Sequence, residues 1–83
     1  MVIERYSKDT VEQVGRRFER DGRMMPEGVC YVASWVDPKT LRCFQVMEAK
    51  SRKLLDEWIS HWDDLVDFDV VPVLTSSEFW DGT

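Results

Sequence analysis

Apolar and polar positions along the chain follow two rhythms, and the switches between them mark out six elements. Met1–Tyr6 (MVIERY) is short, apolar and β-prone, with nothing in it that breaks a strand. After the polar stretch Ser7–Asp9, Thr10-x-x-Gln13 has the form of a capping box opening a helix. Val11, Val14, Phe18 and, further on, Met25 give that helix one apolar stripe at helical spacing. Gly15 weakens its middle by up to about 1 kcal/mol relative to alanine, and offers a place where the helix can approach a sheet closely. Asp21-Gly22 ends the helix, with Gly22 free to take a left-handed conformation. Beyond the loop Met24–Gly28, Val29–Asp37 (VCYVASWVD) is the strongest strand in the chain. Asp37-Pro38-Lys39-Thr40 reads as a type I turn, and Arg42–Glu48 (RCFQVME) returns as the paired strand. Ser51 caps a second helix expected to reach about Leu65; Leu54, Leu55, Trp58, Ile59, Trp62 and Leu65 form its broad apolar stripe. Val66–Leu74 (VDFDVVPVL) is a last strand, and Pro72 sets its end at an edge or beyond the ladder. Residues 75–83 read as a polar tail from which Phe79 and Trp80 stand out.

Strand, helix, strand, strand, helix, strand is a βαββαβ order. With right-handed crossovers and one hairpin it predicts an α+β sandwich: a four-stranded antiparallel sheet, order 4-1-3-2, with both helices on one face. The other face should then alternate apolar with polar if it met water, and it does not. Tyr31, Ala33 and Trp35 are expected on one side of the second strand, with Cys30, Val32 and Val36 on the other. Phe44 and Val46 oppose Cys43 and Met47; Phe68 and Val70 oppose Val71 and Val73. An exposed apolar patch of that size is unusual for a monomer. The expectation is a homodimer through the helix-free sheet face.

Composition narrows the classes. Eighty-three residues make one domain, 1–83, with a marginal core, while 43% apolar residues and four tryptophans argue against disorder. The net charge of −5 disfavours sequence-independent nucleic-acid binding. It is unevenly spread: residues 1–42 hold eight Lys/Arg against seven Asp/Glu, residues 43–83 three against nine. Cys30 and Cys43 are expected opposite Glu48 and Trp35, too far out of register for a disulfide, and free thiols fit a reducing cytoplasm. No apolar run approaches the roughly 20 residues of a membrane span, and no signal-peptide pattern opens the chain. The expected location is cytoplasmic, with no membrane partner.

The run Gly22-Arg23-Met24-Met25-Pro26-Glu27-Gly28, then Tyr31–Val36 and Arg42-Cys43-Phe44-Gln45-Val46-Met47-Glu48, resembles a family of small bacterial proteins, the domain of unknown function 3303. Asp56-Glu57-Trp58-Ile59, Trp62-x-Asp64-Leu65-Val66, Val71-Pro72-Val73 and Ser76 are similar to the same family, so the likeness spans nearly the whole chain. The resemblance implies a ferredoxin-like, dimeric α+β barrel. It brings no established activity and no catalytic residues.

If two sheets face each other, the space between them is the natural pocket. Gln45, flanked by Cys43 and Met47, is the clearest polar group there: its amide either orients a ligand or bonds a neighbouring side chain. Tyr31 and Trp35 would line a flat aromatic ligand or simply pack. Glu4, like Arg5, Glu48 and Asp69, is a strand charge: burial would shift its pKa toward general-base use, but strand-end solvation or a salt bridge is the favoured reading. His61, near Glu57 and Asp64 on a solvated acidic helix side, reads as surface and not as a metal ligand. Arg16, Arg17, Arg20 and Arg23 form a basic side of the first helix that could hold an anionic partner, but Glu12 and Glu19 interleave with them, and a solvated, ion-paired face is the favoured reading. Trp58 and Trp62 read as core. Phosphate-loop, Cys-x-x-Cys and Ser/His/Asp patterns are missing, so no cofactor or metal is expected. Three functions stay open: a homodimer binding a small apolar or aromatic molecule between its sheets, a cofactor-independent oxygenase or isomerase, and an interaction module with a filled interface.

Overall fold

A computed structural model describes residues 1–81. Four strands, β1 (Val2–Arg5), β2 (Val29–Asp37), β3 (Arg42–Ala49) and β4 (Asp67–Val70), form one antiparallel sheet in the order β2-β3-β1-β4. Helices α1 (Val11–Asp21) and α2 (Arg52–Ser60) make the two crossovers. This is the ferredoxin-like arrangement that the order of elements predicts.

Register assigns every strand residue to a face. One cross-strand row runs Phe68, Glu4, Cys43, Val36, and the parallel row beside it Val70, Val2, Gln45, Ser34. These two rows lie under the helices. Val2, Glu4, Cys43 and Gln45 are buried there. The alternate rows, Asp67-Arg5-Arg42-Asp37 and Asp69-Ile3-Phe44-Trp35, occupy the helix-free face. A bulge between Tyr31 and Ala33 makes Val32 an extra residue in β2. Cys30 consequently faces Glu48 as expected, whereas Cys43 faces Val36 and not Trp35. Both cysteines are free.

The core gathers at the α2 side. Val2, Val29, Leu55, Trp58 and Trp62 form one buried cluster, with Trp58 meeting Phe68 edge-on at 5.7 Å between ring centres. The Ser51 hydroxyl caps α2 by accepting from the Leu54 N–H. The helix ends at Ser60, five residues earlier than the apolar stripe suggests, and the chain continues as tight turns in which the Val66 N–H reaches the Trp62 carbonyl at 3.0 Å. Trp62 thus stays buried without being helical.

By contrast, α1 buries no residue completely: Val14 is half-buried and Phe18 is 44% exposed. Its Thr10 makes no side-chain cap; Ser7 and Thr10 bond each other, and the Gln13 amide donates to the Asp9 carbonyl. A Cβ on Gly15 would find nothing within 4 Å, so this glycine does not serve a close approach to the sheet. Arg17 tethers the helix instead. Its guanidinium donates to both Asp64 carboxylate oxygens at 2.7 and 2.8 Å and to the His61 carbonyl at 2.8 Å.

The strand expected over Val66–Leu74 is shorter, Asp67–Val70, although Val71 still exchanges backbone bonds with Met1. Within the expected polar tail stands a third helix, α3 (Ser76–Asp81). Thr75 and Glu78 form a reciprocal capping box: the Glu78 N–H donates to Thr75 Oγ1, and the Thr75 N–H to Glu78 Oε1. The last two positions of that tail, 82–83, lie outside the described residues.

Candidate functional site

Because α1 stands off the sheet while α2 packs on it, a cleft of about 360 Å³ opens between α1 and the buried rows of β1 and β3. That volume falls within the range typical of small-molecule pockets. Val11, Val14 and Phe18 from α1 wall one side; Trp58, Trp62 and Val66 close the back. Glu4, Cys43, Gln45 and Ser34 provide the sheet side, with Tyr6 beside them and Arg23 also lining the space.

The polar groups are connected. The Tyr6 hydroxyl donates to Glu4 Oε2 at 2.9 Å, and the Cys43 thiol lies beside the same carboxyl. Burial raises the Glu4 pKa above its ordinary value, only partly offset by these neighbours and by the positive charge of Arg23. Burial and the neighbouring Glu4 likewise push the Tyr6 hydroxyl up, and bring the Cys43 thiol to about 11. A thiol so placed is a poor nucleophile. Glu4 is the group best suited to exchange a proton with a molecule in the cleft.

Residues 1–81 match the profile of the family described as Domain of unknown function (DUF3303). The chain belongs to that family. No curated protein and no solved structure matches it.

In this DUF3303 domain, three of the six residues singled out from sequence, Glu4, Cys43 and Gln45, meet at one cleft, but on the helix-covered face and not toward the helix-free one. Gln45 Nε2 lies 2.9 Å from Met47 Sδ, the neighbour-bonding arrangement. Met47 lies on the same face but borders a separate depression near α2. Tyr31 and Trp35 do not share a face. The bulge turns Tyr31 to the helix side, where its hydroxyl bonds Ser34 at 2.8 Å, and leaves Trp35 on the helix-free side, 61% exposed. His61 is exposed at the end of α2, and among the described residues no three His, Cys, Asp or Glu side chains cluster as metal ligands.

Sequence reasoning missed Tyr6 and Ser34, and set Arg23 on the basic side of α1. Alternation does place Tyr6 two residues from Glu4 on the inward side, a signal that was available. Arg23 lies beyond the end of α1, not on its basic side. Gly22 (φ 68°) and Met24 (φ 57°) turn the chain there, and the Arg23 carbonyl accepts from Trp58 Nε1 at 2.9 Å and Trp62 Nε1 at 3.1 Å.

Proposed function

We propose that this domain binds a small, mostly apolar molecule in the cleft between α1 and the sheet. The observation that carries the reading is a helix whose apolar stripe is only partly buried, with Phe18 exposed, over a cleft containing the hydrogen-bonded Glu4–Tyr6 pair and Cys43 beside it. A stripe that served folding alone would be packed against the sheet. The test is a fluorescence titration with N-phenyl-1-naphthylamine, a neutral apolar probe. Saturable binding, one probe per chain, is expected, with amide shifts concentrated on α1, β1 and β3. A Val14→Trp variant that keeps its far-UV spectrum should lose it. Probe binding that Val14→Trp leaves intact, or no saturable binding, rules the cleft out. Native mass spectrometry of freshly purified protein adds a check for a retained ligand.

A second reading, a cofactor-independent enzyme of the oxygenase or isomerase kind, is favoured by Glu4 alone. A buried carboxyl of raised pKa beside an apolar cleft is the arrangement a general base needs. Under it, Glu4→Gln abolishes conversion of the bound molecule while leaving binding in place.

We also propose that two copies pair through the helix-free face. Ile3, Phe44 and Trp35 form an apolar row across it from β1 to the edge strand β2, and the flanking row Asp67-Arg5-Arg42-Asp37 carries two charges of each sign, a balance that suits a surface meeting its own copy.

A further inference from the structure

Seven arginines occur in the chain, and six are ion-paired: Arg5 with Asp69, Arg16 with Glu12, Arg17 with Asp64, Arg20 with Asp21, Arg42 with Asp37 and Arg52 with Asp56. Among the described residues, Arg23 makes no salt bridge and no side-chain hydrogen bond, in a domain that carries 16 acidic residues; the carboxyl its charge acts on is Glu4, in the same cleft. Its surroundings hold it in place all the same. The two buried indoles fix its carbonyl. Its guanidinium carbon lies 3.7 Å from the Tyr31 ring centre and 5.0 Å from that of Phe18. A guanidinium lying against aromatic rings keeps its edge donors available for a planar oxyanion. Arg23 is also the only cation among the residues lining the cleft. One positive charge suits a monovalent head; a phosphate's second charge would go unmatched.

We infer that Arg23 is a ligand-orienting residue and that the cleft takes amphipathic monocarboxylates, the carboxylate on the Arg23 guanidinium and the apolar body between α1 and the sheet. This rests on the cleft reading above and adds the chemical class of its ligand.

The experiment compares decanoate with decan-1-ol, each displacing bound N-phenyl-1-naphthylamine, with decanoate also followed by amide shifts. In water the alcohol is the more hydrophobic of the two, so a preference for decanoate requires a specific anion contact. Wild type should bind decanoate about tenfold more tightly than decanol. Arg23→Met should remove that preference while changing probe and decanol affinity less than about threefold, and Arg23→Lys should keep part of it. Matching far-UV spectra check that the variants fold. Normal probe binding with decanol preferred, or a decanoate preference that survives in Arg23→Met, overturns the inference and leaves the cleft reading standing. If neither probe binding nor decanoate-induced shifts appear, both fail.

Discussion

At the scale of the residue, Glu4 is where the fold spends stability. An acid whose folded pKa exceeds its unfolded one binds more protons when folded, so stability falls as pH rises through the gap between the two values. For Glu4 that gap opens at the ordinary value of 4.5 and extends upward, burial being the main cause. Asp37, held low chiefly by the Thr40 hydroxyl, and Asp64, held low by Arg17, act oppositely: their contributions are lost only as pH drops below the ordinary carboxylate range. The two effects therefore occupy different pH ranges. Urea denaturation from pH 4.5 to 8 should show wild-type stability declining across the interval and Glu4→Gln declining less. The variant should gain relative to wild type toward pH 8, since a glutamine can still accept from Tyr6 without being charged. Parallel curves for the two proteins would mean that Glu4 is ionised at little cost.

At the scale of the element, the two helices differ in what holds them. The stripe on α2 is legible in sequence because packing uses it: Leu55 and Trp58 are buried and Ser51 caps the start. The stripe on α1 is equally legible, yet periodicity reports only that a face is apolar, not whether the sheet or a bound molecule covers it. Periodicity alone therefore directs attention to the helix-free face and does not reveal the cleft under α1. The bulge in β2 escaped for a related reason: strict alternation cannot register one inserted residue, and that residue separates Tyr31 from Trp35. α3 was hidden by a composition that looked merely polar, although Thr75-Ser76-Ser77-Glu78 carries a capping box. Gly15 offers the direct test of α1. It sits in mid-helix with open space around its missing Cβ, so Gly15→Ala should stabilise the protein by about 0.5–1 kcal/mol in urea denaturation. A loss of stability would show that the helix lies closer to the sheet than the cleft requires.

At the scale of the whole molecule, the shortest Cα extent is 17 Å, the thickness of one sheet and one helix layer. Among the described residues, no helix packs on the second sheet face. The radius of gyration, 13.8 Å, exceeds the about 12 Å expected of a compact chain this long. Positions 71–81, beyond β4, are all exposed. Trp35 stands where a pairing surface would place an anchor: on β2, next to Phe44, with most of its ring in solvent. Large aromatic anchors buried in an interface can contribute about 2 kcal/mol or more, roughly a thirtyfold change in dissociation constant. Light scattering coupled to size exclusion at micromolar concentration should therefore give a dimer for wild type. Trp35→Asp should give a monomer with an unchanged far-UV spectrum, because Trp35 takes no part in the buried cluster. The cleft lies on the opposite face of the sheet, so the monomeric variant should still bind the neutral probe. A wild-type monomer overturns the pairing; a dimer that Trp35→Asp leaves intact moves it to another surface, and loss of probe binding in a folded monomer would show that the cleft depends on the pair.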